Sequence, residues 1–372
     1  MNLPLEIIAE ILSWLPVDAI LRLRCVCKTW YSFIKQPQFI KLHLLHSVRT
    51  LNPNHGMLIF EQSRYENGIL CLTPFDDDAI SGFPLRVHLP FREDRVRMCH
   101  CDGLVLVTKA WANECVLWNP ILRKQKMLTL PGFECRGFPG SVVLVDFGFG
   151  FDLESGDHKI VRLVLYADWY IYDYCKHNIW TSEVKVYSFR KNSWTKVPDL
   201  PFNDLKLCTP SVHANGALHW LVCDRDSSER VKFVIAFDLA NEGYHKLLVP
   251  FNVERVSLSC LTVLDGRLCM CLNDNAKARQ EVWLMKEYGV NESWCRLFIF
   301  ENCALPCKPL VFSKTSVKVL MEKESKELFW YDRISGEIEE VKISVMPLGF
   351  KTMVCARSLL LLDGDGVQDA QL

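Results

Sequence analysis

The chain has no run of about 20 apolar residues, the length a helix needs to cross a bilayer core. An excess of charge of one sign is also missing. Its 43 Lys and Arg stand against 44 Asp and Glu, a formal net charge of −1. That balance argues against the broad basic surface with which proteins hold nucleic acid or anionic membrane, and leaves local patches open. No basic segment precedes the first apolar residues, and Glu6 and Glu10 interrupt them, so a secretory leader is not expected. Asn2 follows Met1 where N-myristoylation requires glycine. Common catalytic signatures are missing too: no Gly-x-Ser-x-Gly elbow, no Gly-x-x-x-x-Gly-Lys phosphate loop and no His-Glu-x-x-His. Gly148-Phe149-Gly150 lacks the third glycine of a dinucleotide fingerprint and reads as close backbone packing or a bulge. His213 and His219 flank Asn215-Gly216 and read as strand or core histidines. The expectation is a non-enzymatic protein without cofactor or metal, not inserted in a membrane, and cytoplasmic and/or nuclear.

Cysteine, by contrast, is plentiful, at 17 of 372 residues. With no leader in view, free thiols in a reducing compartment are expected. Cys25/Cys27, Cys99/Cys101 and Cys269/Cys271 are separated by a single residue, whereas structural zinc sites favour gaps of roughly two to four. Cys303 and Cys307 have a wider gap but no matching second pair. In the strand-like stretches a one-residue gap puts both thiols on one face, where free cysteine acts as a small buried hydrophobe.

The N-terminal stretch LPLEIIAEILSWLPVDAILRLRCVCKTWYSFIKQPQFIKLHLLHS, from Leu3 to Ser47, has helical periodicity. Ile7, Ile8, Ile11, Leu12 and Leu15 predict an apolar stripe, with Pro4 in the first turn, Glu6 at the positive dipole end and Pro16 as terminator. Asp18 is the expected N-cap of a second helix carrying Ala19, Ile20, Leu21 and Leu23. A third helix is expected to carry Trp30, Phe33 and Ile34 and to end before Pro37. About 45 residues cannot bury all of these side chains among themselves. Some must cap a following domain or face a partner.

Leu3-Pro4-x-Glu6-Ile7, Ile11-Leu12-x-x-Leu15-Pro16-Val17 and Leu21-x-x-Arg24-Cys25-Val26-Cys27-Lys28-x-Trp30 resemble the F-box, a three-helix module that binds a Skp-type adaptor. Trp14 stands where a basic residue is usual, and Cys27 where Ser is usual, which is expected to weaken the cap of the third helix. The resemblance implies that Leu3, Pro4, Ile7, Ile11, Leu15, Pro16, Ile20, Leu23, Val26 and Trp30 contact the adaptor or shape the surface it meets, with Cys27 and Lys28 at the edge. Some of these must form the module's own core, and the sequence leaves open which.

From Gly56 onward the pattern changes. Short runs rich in β-branched and aromatic residues alternate with turns such as Asp102-Gly103, Asn215-Gly216 and Asp265-Gly266. Six units recur roughly every 40–55 residues, a period typical of propeller arrays. Met57–Phe60 and Ile69–Thr73 open the first unit, and Val354–Ala356 with Leu359–Leu362 are candidates to return and complete it. We expect a kelch-like β-propeller of about six blades, with a large β-sandwich as the alternative.

The ordered segments VLWNP, FGFGFD, VKVYSF, NGALHW, AFDL, VWLMKEYGVNESW and LFWYD resemble the F-box-associated domain of plant F-box/kelch-repeat proteins. The expected plan is an F-box over residues 1–47, a propeller-like recognition domain over 48–365 and a tail over 366–372. The resemblance implies a substrate-recognition subunit of a Skp–cullin–F-box ubiquitin ligase, with a Skp-type adaptor, through it a cullin, and an unidentified protein target as partners. A scaffold or inhibitor acting outside the ligase, a propeller-based enzyme and a glycan-binding protein remain alternatives. Between KIVRLVLY and VKVYSF, the residues Trp169, Tyr170, Tyr172, Tyr174 and Trp180 are candidate target anchors, because aromatics offer large contact area at low entropic cost. Their alternative reading is a hairpin packed on its own blade.

Overall fold

A computed structural model of the chain describes residues 4–49, 56–62, 69–74, 85–88, 96–109, 114–134, 142–167, 179–201, 205–224, 231–249, 257–274, 277–301, 305–324, 326–341 and 350–362. Four helices come first: α1 (Leu5–Ser13), α2 (Val17–Leu23), α3 (Lys28–Ile34) and α4 (Pro37–Arg49). The fourth was not expected from the sequence. Pro37, read there as the point before which α3 stops, also opens α4, where its missing N–H is harmless. Asp18 is not the cap of α2. Pro16 holds that position with extended backbone, and Asp18 lies in the first turn, where its charge suits the helix dipole. Cys27 does cap α3, its Sγ accepting from the Trp30 N–H at 3.4 Å. The module's core is Leu12, Val17, Ile20, Phe33, Ile34, Phe39 and Ile40, so α4 supplies two of its side chains.

The strands that follow form six antiparallel blades, five of four strands and one of five. Blade 1 holds β1 (Gly56–Gln62), β2 (Ile69–Pro74) and β3 (Leu85–His88). Blade 2 holds β4 (Val96–Cys101), β5 (Leu104–Lys109), β6 (Glu114–Asn119) and β7 (Lys124–Thr129). Blade 3 holds β8 (Val142–Asp152), β9 (Asp157–Ala167), β10 (Ile179–Ser188) and β11 (Ser193–Val197). In blade 4 the innermost strand is split into β12 (Leu205–Leu207) and β13 (Val212–Ala214), both paired with β14 (Ala217–Asp224), followed by β15 (Val231–Asp238) and β16 (Tyr244–Leu247). Blade 5 holds β17 (Ser257–Leu264), β18 (Arg267–Asp274), β19 (Arg279–Met285) and β20 (Trp294–Phe300). Blade 6 holds β21 (Cys307–Phe312), β22 (Lys318–Lys323), β23 (Glu327–Asp332) and β24 (Ile338–Glu340).

The last strand, β25 (Phe350–Ala356), returns to pair with β1 from Gly56↔Ala356 to Gln62↔Phe350. It closes the ring with the far end of the chain and leaves no open edge between first and last blades. Only half of the expected return is strand. Leu359–Leu362 leaves blade 1 and runs under the helices instead.

Three of the hairpins explain why the blades were legible. Asp102-Gly103, Asn215-Gly216 and Asp265-Gly266 are two-residue loops in which both residues have positive φ, the mirror-image turn that matches strand twist. Gly148 and Gly150 mark close packing, not a bulge. A Cβ on Gly148 would lie 2.4 Å from Leu218 Cδ1, and one on Gly150 2.4 Å from His213 Cδ2. Cys269 and Cys271 are buried in one cluster, as their spacing on a strand requires. Free thiols prevail among the described cysteines, but Cys208 departs from that expectation and is disulfide-bonded.

Candidate functional site

The expected single stripe on α1 is in fact two. Ile8, Leu12 and Leu15 follow at i, i+4 and i+7 and turn inward. Ile7, Ile11 and Trp14 have the same spacing one residue earlier, about 100° around the helix, and with Pro4 stay in solvent. Ile7 is 49% exposed, Ile11 52% and Trp14 53%. Leu5, Val26 and Tyr31 add further exposed apolar surface to the module. A 45-residue unit that closes its core and still presents this much hydrocarbon has the features of an interaction surface.

Trp14, the departure from the usual pattern, is held in place. Its ring stacks on His46 of α4 with centroids 4.0 Å apart, and its Nε1–H donates to Glu10 at 3.0 Å. Ser13 ties the same corner, its hydroxyl donating to the Glu10 carbonyl and lying 2.8 Å from His46 Nδ1. An aromatic side chain held this way loses little freedom when a partner covers it.

The other expected contact residues divide by burial. Pro16, Val26, Cys27 and Lys28 are exposed, and Leu15, Leu23 and Trp30 half-buried. Ile20 is fully buried in the helical core. Leu3 lies outside the described residues. Trp14, Leu5 and Tyr31 are not among the contact residues expected from the sequence. The i+7 relation of Trp14 to Ile7 was the signal for it. Arg24 is half-buried, and burial pushes its guanidinium down from its ordinary value, partly offset by Tyr31.

The helices are anchored on one face of the propeller. Ile121 and Leu122, in the turn from β6 to β7, pack against the helical core. The segment 357–362 runs between the two parts. Leu359 is buried in the helical core, and Leu362 in the core shared by blades 2 and 3. Asn119 fastens this strap, donating from Nδ2 to the carbonyls of Ser358 at 3.1 Å and Leu360 at 2.9 Å. Its Oδ1 accepts from the N–H groups of Ile121 and Leu122, both at 3.0 Å. Arg357 pairs with Asp18 of α2.

Antiparallel strands alternate in direction, so the turns between first and second strands, and between third and fourth, share the helix-bearing face. The ends of β9 and β10 that enclose residues 168–178 therefore lie on the opposite face. Trp169, Tyr170, Tyr172 and Tyr174 lie outside the described residues, and Trp180 belongs to β10.

Elsewhere polar groups serve packing. Arg162, almost wholly buried, pairs with Glu183 at 2.7 Å and donates to the carbonyls of Pro131 and Gly132. Burial pushes Glu183 up, but hydrogen bonds from Tyr166, the Glu134 N–H, Lys185 and Arg162 outweigh it and hold the carboxyl below its ordinary value. His219 is buried against Tyr288 at 2.8 Å, and burial lowers its pKa to about 4, so it stays neutral near pH 7. Cys101, Asp102 and His158 bring a thiol, a carboxylate and an imidazole within 4.8 Å of one another. Among the described residues no helix is long and apolar enough to cross a membrane.

Comparison with known proteins bears on the whole chain. Residues 1–42 match the F-box domain family, and residues 83–354 match the F-box associated beta propeller domain family. The F-box protein CPR1 of Arabidopsis thaliana is 27% identical over 386 residues, covering 97% of this chain and 89% of that protein. The F-box/kelch-repeat protein At3g23880 of the same plant is 28% identical over 337 residues, covering 87% and 86%. Among solved structures, the oligogalacturonate lyase of Vibrio parahaemolyticus aligns over 78% of this chain and 80% of that one, at TM-score 0.45 and 7% identity.

Proposed function

The chain belongs to the F-box proteins that carry an F-box-associated β-propeller domain, and from that premise we propose that it is the substrate-recognition subunit of a Skp–cullin–F-box ubiquitin ligase. The observation that carries the reading is the outer stripe of α1. Ile7, Ile11 and Trp14 are ordered hydrocarbon with no partner inside the module's core, and they fall on positions of the F-box pattern or beside them. A Skp-type adaptor covers this stripe and, through it, a cullin joins the assembly.

Labour divides between residues 1–47 and residues 48–365, with 366–372 as a tail. The first part docks, and the propeller holds a target protein. The strap and Asn119 support a fixed relation between the two, since carbonyls and leucines of one segment are bound into both. The target sits on the face opposite the helices, and the connection carrying Trp169, Tyr170, Tyr172 and Tyr174 joins strands there. The chain performs no covalent step. It raises the effective concentration of target lysines beside the ubiquitin-charged partner. Such a subunit works in the cytoplasm and/or nucleus.

The test is co-expression with a Skp adaptor and a cullin. A complex of all three that forms only with the adaptor supports the proposal. A chain that purifies alone, beside an F-box control that assembles, refutes it. For the target side, Trp169→Ala/Tyr172→Ala with intact folding should lower target capture, and unchanged capture removes these residues as anchors.

A further inference from the structure

We propose that Cys101 Sγ, the Asp102 carboxylate and His158 Nε2 form a binding site for a divalent metal of the zinc class, at the seam between blades 2 and 3 on the helix-bearing face. The three groups come from two hairpins. Cys101 ends β4 and Asp102 opens the turn to β5, while His158 is the second residue of β9. Their ligating atoms all lie within 4.8 Å of one another, and His158 Nε2 is already 3.0 Å from Asp102 Oδ2. Zinc bonds of about 2.0–2.3 Å in tetrahedral array need ligand atoms some 3.3–3.7 Å apart. The site therefore needs only a small closure of Sγ toward the other two. A soft thiolate, an imidazole and a carboxylate together suit zinc better than magnesium or calcium, which prefer oxygen alone. Two anionic ligands also balance the charge of a divalent ion.

A second observation points the same way. His213, on β13 of blade 4, accepts the Phe151 N–H at its Nε2, at 3.2 Å. In the neutral ring the proton then belongs on Nδ1, which lies 3.7 Å from Cys101 Sγ. An N–H aimed at sulfur is an outer-sphere contact that stabilises a metal-bound thiolate and orients it. The same bond at Nε2 bars His213 from being a ligand, so the protein supplies three groups and leaves the fourth position for water or an incoming donor. On coordination the Cys101 thiol gives its proton to solvent, and the His158–Asp102 hydrogen bond is replaced by two metal bonds.

The place explains what such an ion would do. Next in sequence is Gly103, where a Cβ would meet Ser358 Cβ at 2.3 Å and the Ala356 carbonyl at 2.8 Å. A metal clamp across blades 2 and 3 would fix the turn on which the strap rests. No sequence motif announces it, since Asp102 and His158 are 56 residues apart.

The experiment is a cobalt(II) titration of the full chain in reducing buffer, with Cys25→Ser/Cys27→Ser as background to remove the exposed pair. The expected result is one equivalent of cobalt, tetrahedral visible bands and a sulfur-to-cobalt charge-transfer band, all displaced by one equivalent of zinc. Cys101→Ser abolishes the charge-transfer band, His158→Gln lowers affinity at least 100-fold, and His213→Ala weakens binding roughly 10–100-fold while keeping the band. Cys295→Ser changes nothing. A chain that takes up no stoichiometric cobalt, or keeps the sulfur band in Cys101→Ser, overturns the site and leaves the His158–Asp102 contact as an inter-blade hydrogen bond only. Titration of the Cys25→Ser/Cys27→Ser chain decides this even if a further variant fails to fold, since no stoichiometric cobalt there overturns the site.

Discussion

Leu359→Ala tests whether the strap is part of the F-box core. Leu359 is 1% exposed and sits among Leu12, Val17, Ile20, Phe33, Ile34, Phe39 and Ile40, although more than 300 residues separate it from them. Truncation removes three carbon groups, at about 0.8 kcal/mol each, or roughly 2.4 kcal/mol of transfer free energy. The cavity left behind raises measured Leu→Ala losses to about 2–5 kcal/mol. A strap at a seam can settle partway into the space, so we expect a value near the lower end, about 2–3 kcal/mol. A chain of two cooperative parts does not give one clean unfolding free energy. Hydrogen exchange of the α1–α4 amides is therefore the better assay, because it reads local stability. Those amides should lose protection by roughly 30–150-fold, the equivalent of about 2–3 kcal/mol, if they open with the module. Amides in blades 4 and 5 should not change. The matched control is Leu153→Ala, an exposed leucine in the turn from β8 to β9 whose loss should be near zero. Unchanged helix protection in Leu359→Ala would refute the reasoning, since the helices would then be stable without the strap.

Other consequences follow from the same contacts. Asn119→Ala leaves the Ser358 and Leu360 carbonyls and two turn N–H groups without their partner, and should cost about 1–3 kcal/mol, read as lost hydrogen-exchange protection of the α1–α4 amides. Gly103→Ala combines a φ of +81° with a Cβ that overlaps the strap, and should destabilise by about 1–3 kcal/mol and release the same helix amides as Leu359→Ala. Glu183 is held below its ordinary value of 4.5, so its contribution is present above that pH and lost as pH falls through the lower folded value. Glu183→Gln should therefore cost about 3 kcal/mol at pH 7, leaving Arg162 buried beside a neutral amide, and should flatten the acid limb of a stability–pH curve. An acid limb as steep as in the wild type would contradict that.

What the sequence made legible was local chemistry. Asp102-Gly103, Asn215-Gly216 and Asp265-Gly266 are turns whose geometry those residue types select. Alternating strands between them gave six units, and six blades are present. The helical stripe on α1 was equally plain, but periodicity alone could not divide Ile7 and Ile11 from Ile8 and Leu12. All four are isoleucine or leucine, and the packing of α2, α3, α4 and the strap decides which pair is covered. The end of α3 at Pro37 hid the start of α4, because one residue serves both purposes. The strap was misread as strand because Leu359–Leu362 is an unbroken apolar run with no period, and its place depends on Asn119 and on α2, far away in sequence. The same distance hid Cys101, Asp102 and His158, which the closing of one blade on the next brings together.

The outer stripe of α1 is the proposed docking surface, and the decisive measurement is the affinity of the purified chain for a Skp adaptor, compared with Ile7→Ala/Ile11→Ala. Both side chains are about half exposed and outside the core, so the double variant should keep the wild-type melting temperature. At an interface, two such truncations at about 1 kcal/mol or more each weaken binding by at least roughly 30-fold. Tight binding by the wild type with a loss of that size in the folded variant is the predicted result. Equal affinities, or no binding by the wild type under conditions where a known F-box protein binds, would contradict the account.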